Sequence, residues 1–253
     1  MEHAHYHFML PPFCSASEGE AMLRIWETPD DDECESVREE GVNPGLLRGV
    51  NVLMAALLMV LSLPVLLLAM LAVRLTSRGP VIYQQVRVGL DRRSRSDMAL
   101  CRRASDCGGR PFSIYKLRTM VVDAEANGSA VWATRNDPRI TPVGKFLRTT
   151  RIDELPQFYN VLRGDMNLVG PRPERPSIVL ELKKEVHGYT RRHRVRPGIT
   201  GLAQVSQAYD ANVDDVRRKV GYDLMYLNER TLRNDMTILA RTVPVILRRF
   251  GAN

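Results

Sequence analysis

The four cysteines of this 253-residue chain, Cys14, Cys34, Cys101 and Cys107, form neither a CxxC pair nor a metal array. In a chain this long that argues against a disulfide framework and fits a reducing, cytosolic setting. Aromatic residues make up only 6% and are not interleaved with the basic ones, and no nucleic-acid motif is present. The net charge of +7 therefore does not point to nucleic acid. Basic residues are themselves scarce at one end: residues 1–45 hold 11 acidic against 2 basic side chains, so everything after them carries +16. That basic part must meet something anionic, and a membrane surface or a phosphorylated substrate remains. The length suffices for one catalytic-sized domain with additions.

Charge is absent altogether from Gly49 to Val73, "GVNVLMAALLMVLSLPVLLLAMLAV". As a helix this run would reach about 37 Å, against a hydrocarbon core of roughly 30 Å. It begins too far from Met1, and runs too long, to be a cleaved leader. Hydropathy alone reads it as one spanning helix. Two details favour a helix that breaks and returns to the same face. Pro64 removes a backbone donor near the middle, where Ser62 can satisfy a freed group, and arginines flank both ends (Arg48; Arg74 and Arg78), so neither end is marked as inside.

Residues 1–45 read as an acidic, disordered tail, and the alternating His3, His5 and His7 as no functional site. "PVIYQQVRVG" and "FSIYKLRTM" have strand character and would pair antiparallel, joined by a long Arg- and Ser-rich connection over 91–110. Helical signals resume at "MVVDAEAN" and "ITPVGKFLRTT". Leu155, Phe158, Tyr159 and Leu162 follow helical spacing with Gly164 as a stop. At the C-terminal end Val220, Leu224 and Leu227, then Met236, Leu239, Val243, Ile246 and Leu247, repeat at helical spacing beside Arg217, Arg218, Lys219, Arg241, Arg248 and Arg249. This pattern suits the headgroup layer for some turns and core packing for others.

The chemistry concentrates in "RIDELPQFYNVLRGDMNLVGPRPERP", Arg151 to Pro176. Pro156 is tolerated only in a first helical turn, which puts Asp153 and Glu154 at a helix N-terminus. A carboxylate of ordinary pKa, about 4, is ionised at pH 7 and can attack phosphorus without a general base. Its repulsion from a diphosphate, roughly 1 kcal/mol per charge pair at 4 Å in water and about 4 at an effective dielectric of 20, must be offset by cations. Lys116, Arg118, Arg148, Arg151, Arg172 and Arg175 supply them, and Arg196 lies in a second basic run beside a Pro-Gly turn, "RHRVRPGITGLAQV". Neighbouring carboxylates cannot both face one atom, so Glu154 is assigned to a hard divalent cation, Mg²⁺. The competing reading is a solvated charged face with Asp153 as a helix cap.

These stretches, together with "NDPRITPVGKFLRTT", resemble the bacterial sugar transferases, the monotopic phosphoglycosyl transferases, over about Pro44 to Phe250. The resemblance implies an enzyme that moves a sugar-1-phosphate from a UDP-sugar to undecaprenyl (polyprenyl) phosphate. UMP is released, and a covalent phosphosugar forms on Asp153, at the start of glycan assembly such as exopolysaccharide. It implies Glu154 as the Mg²⁺ ligand and Lys116, Arg148 and Arg172 as phosphate-binding cations. The implied fold is α+β and mainly helical: a small antiparallel hairpin, a re-entrant membrane helix-break-helix (46–78) and surface amphipathic helices around one catalytic domain (79–253). That domain is expected on the cytoplasmic face of the bacterial inner membrane, with downstream glycosyltransferases as protein partners. The long connection between Leu90 and Phe112, and Leu202 where many members have tryptophan, depart from the family pattern. Larger members carry four membrane helices and a further domain ahead of this region, where this sequence has the acidic tail. A catalytically inactive, membrane-anchored regulatory protein of the same fold is the alternative.

Overall fold

A computed structural model describes residues 43–92, 107–122, 124, 137–207 and 213–247. The acidic tail up to residue 42, with Cys14 and Cys34, and Cys101 with most of the long connection lie outside the described residues.

Helix α1 spans Pro44–Thr76. Asn43 starts it, its side-chain oxygen accepting from the backbone N–H groups of Gly45 (2.9 Å) and Leu46 (3.4 Å), and Pro44 takes the first-turn place that needs no donor. The helical backbone continues through Pro64 as one 33-residue helix, so the break expected there is not seen, and Ser62 Oγ donates to the Met59 carbonyl at 3.2 Å. Both ends of α1 seat on one body. Near the start, Leu47, Asn51 and Ala55 are buried, while Arg48 donates to the carbonyls of Val161 (2.7 Å) and Leu162 (2.9 Å). Asn51 Oδ1 accepts from the Leu168 N–H at 2.7 Å. Near the finish, Leu66, Ala69 and Val73 pack with Leu117 and Leu147. Between these anchors Leu57, Val60, Leu61, Leu63 and Val65 stand exposed.

Strands β1 (Ile82–Val88) and β2 (Pro111–Leu117) pair antiparallel in register from Ile82 opposite Leu117 to Val88 opposite Pro111, the expected hairpin. Met120 forms an isolated antiparallel bridge with Ile140, so the helical signal at "MVVDAEAN" begins on extended backbone; most of the rest of that stretch lies outside the described residues. Helix α2 (Pro142–Thr149) is capped by Thr141, whose hydroxyl accepts from the Gly144 N–H at 2.9 Å.

A 3₁₀ turn, Ile152–Glu154, leads through Leu155 and Pro156 into α3 (Gln157–Arg163). Gly164, at φ 96°, ends α3 as its spacing predicted, adopting the left-handed conformation that glycine tolerates. Asn160 ties α3 to β2, accepting from the Tyr115 N–H (3.2 Å) and donating to the Ser113 carbonyl (2.8 Å).

Short strands β3 (Asn167–Val169) and β4 (Gly198–Thr200) form a parallel pair that the sequence reading did not contain. Backbones approach so closely there that a Cβ on Gly198 would collide with the Gly170 nitrogen. Helix α4 (Pro176–Glu185) and a 3₁₀ segment (Tyr189–Arg194) lie between the two strands in sequence and α5 (Leu202–Ser206) follows them, while the pair itself packs against α1 and α3. The C-terminal pattern splits into α6 (Val213–Asn228) and α7 (Leu232–Leu247). Helix α6 is core, burying Val216, Val220, Leu224 and Leu227 against Val161, Met166 and Val179. Helix α7 buries Ile238 but leaves Met236, Val243, Ile246 and Leu247 exposed.

Candidate active site

The two carboxylates are not on a solvated face. Asp153 is 7% exposed and Glu154 8%, which removes the surface-cap reading. They occupy the 3₁₀ turn ahead of α3 rather than the first turn of the helix itself. Arg151 opens that turn at φ 59°, and no other non-glycine residue among those described has positive φ. Left-handed backbone is costly for a side chain with a Cβ, and such strain concentrates at functional sites.

Cations converge on Glu154. Its Oε1 accepts from Lys116 Nζ at 2.9 Å and Arg172 Nη2 at 2.8 Å, with Arg151 Nη1 at 3.7 Å. Burial alone would raise the Glu154 carboxyl, but Arg172, Lys116 and Arg151 overcome it and hold the group well below the usual range. Burial pulls the Lys116 ammonium down, opposed by Glu154. Arg172 is held firmly charged, chiefly by Glu154. Asp153 differs. Its Oδ1 is buried without a hydrogen-bond partner, and burial followed by the adjacent Glu154 charge pushes its carboxyl up to about 6, against the pull of Lys116, Arg151 and Arg148. The ordinary value near 4 expected from the sequence is thus corrected. At pH 7 roughly nine in ten such groups are still ionised.

Three of the other named cations, Arg118, Arg175 and Arg196, are engaged elsewhere. Arg118 turns to the end of α1, donating from Nη2 to the Ser77 carbonyl and hydroxyl, each at 2.8 Å. Arg175 precedes α4 and faces Arg87 electrostatically, and Arg196 Nε donates to the Gly164 carbonyl at 3.2 Å. Arg148, in the last turn of α2, acts on both Asp153 and Asp137 through its charge.

A clamp that the sequence reading missed aims Arg172. Arg192 Nη2 donates to the Arg172 carbonyl at 3.0 Å, Arg87 Nη1 to the Pro173 carbonyl at 3.1 Å, and the Val88 N–H to the Glu174 carbonyl at 2.9 Å. Glu174 is held by Lys219 (3.0 Å) and Arg87 (3.4 Å), which overcome burial and bring its carboxyl down to about 2. Arg192 is itself buried against Asp223 at 2.6 Å, bonded to the Tyr189 hydroxyl at 3.0 Å. One signal was legible: Asp223 falls on the same helical face as Val220 and Leu227, an acid on a core-facing stripe.

Among the described residues no group of three or more His, Cys, Asp or Glu side chains could hold a metal. Two adjacent carboxylates, one with a buried unpartnered oxygen, do fit Mg²⁺, which is usually held by one or two carboxylates with substrate phosphates and water completing the shell.

The arrangement sets a buried acid pair beside Lys116 and Arg172 on a body that also seats the one helix, among the described residues, long and apolar enough to cross a membrane. The family model for bacterial sugar transferases matches residues 43–249, and the chain belongs to that family. It is 42% identical over 205 residues to the UDP-N-acetylgalactosamine-undecaprenyl-phosphate N-acetylgalactosaminephosphotransferase of Aeromonas hydrophila, covering 81% of this chain and 44% of that protein. It is 40% identical over 205 residues to the UDP-glucose:undecaprenyl-phosphate glucose-1-phosphate transferase of Escherichia coli K12, covering 80% of this chain and 40% of that one. To the Caulobacter vibrioides protein of the same name it is 42% identical over 202 residues, covering 79% and 69%. The match thus spans less than half the length of the first two.

Proposed function

We propose that this protein transfers a sugar-1-phosphate from a UDP-sugar to undecaprenyl phosphate at the cytoplasmic face of the inner membrane, initiating a glycan such as an exopolysaccharide. The observation that carries the reading is the asymmetry of the acid pair: Glu154 takes up Lys116 and Arg172, while Asp153 keeps an unpartnered oxygen beside them. A carboxylate so held has no strong ion pair to break before it attacks.

In the first half-reaction a carboxylate oxygen of Asp153 forms a bond to the sugar-linked phosphorus, and the bond from that phosphorus to the bridging oxygen breaks, releasing UMP. In the second, a phosphate oxygen of the lipid bonds to the same phosphorus and the aspartyl oxygen leaves as carboxylate. Lys116, Arg172, Arg148 and Arg151 offset the repulsion between the carboxylate and the diphosphate, each close charge pair being worth about 4 kcal/mol at an effective dielectric of 20. Glu154 keeps Lys116 and Arg172 in place between turnovers. With the substrate phosphates it would also hold Mg²⁺, which when bound adds positive charge against the leaving UMP.

The seating of α1 supports a helix that dips into one leaflet and returns. Arg48 and Asn51 at its start and Ser77 just past its end bond to one catalytic body, whereas a spanning helix would part its two ends by the membrane thickness. Exposed Met236, Val243, Ile246 and Leu247 on α7 suit contact with the same surface. Radiolabelled UDP-sugars incubated with membranes containing the protein and undecaprenyl phosphate test the reading. Label should enter the lipid fraction with UMP release, and binding of the lipid without labelled lipid from any of a panel of UDP-sugars would leave the inactive regulatory role.

A further inference from the structure

Gln157 is 2% exposed, and its Nε2 is buried with no hydrogen-bond partner. The backbone from Ile152 is helical through Leu155 (φ −54°, ψ −37°) and Pro156 (φ −59°, ψ −16°) into α3, so Gln157 lies four residues after Asp153 on the same face, one turn on. Asp153 Oδ1 is the other orphan on that face. A buried amide donor left unpaired destabilises a fold, and native proteins leave few of them. The amide that ties α3 to β2 is that of Asn160, through both of its polar atoms, and Gln157 Nε2 adds no bond to it. An apolar side chain of the same length would fill this place without that penalty.

We propose that Gln157 is a substrate-contact residue whose Nε2 donates to a non-bridging oxygen of the phosphoryl group that Asp153 attacks. The inference rests on the transfer reading above. A neutral donor suits this place: a lysine or arginine one turn from Asp153 would pair with the nucleophile and occupy it, whereas an amide binds the incoming phosphate oxygen and leaves the carboxylate its charge. The donor unpaired in the free protein gains its partner from the ligand, so its cost is borne before substrate arrives.

The two possible roles predict effects of opposite sign. The full chain in detergent is mixed with Mg²⁺ and either UDP-N-acetylgalactosamine or UDP-glucose, without lipid acceptor, and the UMP burst and melting temperature are followed for wild type, Gln157→Met and Gln157→Glu. Gln157→Met should slow the burst on the order of ten- to hundredfold even at saturating donor, while melting at or above the wild-type temperature. Gln157→Glu, which keeps the shape and replaces the donor by a charge, should lose the burst and decides the matter if Gln157→Met melts below wild type. A wild-type burst matched within about threefold by both variants, or by Gln157→Glu where Gln157→Met melts below wild type, overturns the role. No burst from wild type with either donor overturns the transfer reading and this role with it.

Discussion

Arg192 reaches under Arg172 and donates to its backbone carbonyl at 3.0 Å, so the arginine that holds Glu154 is itself held by a buried arginine. Arg192 in turn depends on Asp223 at 2.6 Å, both side chains being nearly inaccessible. Removing the acid would leave a buried guanidinium uncompensated. Asp223→Asn should therefore destabilise the domain by about 3–5 kcal/mol, seen as a large fall in melting temperature. A fall of only a degree or two would mean that solvent reaches Arg192.

Substituting Arg172 by lysine keeps the charge but loses the planar fork that can serve Glu154 and a phosphate together. Arg172→Lys should cut turnover by at least about tenfold with little change in melting temperature. Near-wild-type turnover would reduce Arg172 to a partner of Glu154.

The seating of α1 predicts that its two ends face the same compartment. In a background with the four natural cysteines replaced by serine, Leu46→Cys and Arg78→Cys should both resist an impermeant thiol reagent applied to intact spheroplasts and both react after lysis. Labelling of just one from outside would establish a spanning helix.

His193 makes stability pH-dependent. Burial, then the charge of Arg192, brings its imidazole down to about 3, while the Gly108 carbonyl (3.1 Å from Nδ1), Asp91 and Glu174 oppose the shift and the Tyr189 ring packs edge-on. Between that value and the unfolded one near 6.5 the unfolded chain binds a proton that the folded one refuses, so stability falls as pH drops through about 6.5, by roughly 1.4 kcal/mol per unit, and levels near 3. His193→Gln should cost stability at pH 7.5, yet the gap between variant and wild type should narrow by pH 5. A gap that stays constant would show that His193 does not titrate on unfolding.

The apolar run, the hairpin, the helix within "ITPVGKFLRTT" and the Gly164 stop were legible because each is set by local pattern: hydropathy, alternation, helical signals and left-handed backbone. The acid pair was legible by the company it keeps in sequence. What it lacks was not: that Asp153 Oδ1 goes unpartnered while Glu154 gathers Lys116 and Arg172 depends on β2, the 3₁₀ turn and the Arg172 loop meeting in space. The same holds for the β3–β4 pair, three residues a side, and for Arg192, one basic residue among several in "RRHRVR" that is buried against Asp223 of α6, Tyr189 and the Arg172 carbonyl. Arg118 shows the converse. Two residues after Lys116 it reads as an equal cation, yet its Nη2 turns to the end of α1 at Ser77 rather than to the acid pair.

Intact-protein mass spectrometry of the chain mixed with UDP-sugar and Mg²⁺ in the absence of lipid tests the covalent role of Asp153 most directly. The account predicts one added sugar-phosphate mass on wild type with about one equivalent of UMP, no adduct on Asp153→Asn, and loss of the adduct when undecaprenyl phosphate is added. Formation of lipid product without any added mass on wild type, or full turnover by Asp153→Asn, would contradict it and leave direct transfer between the two bound substrates.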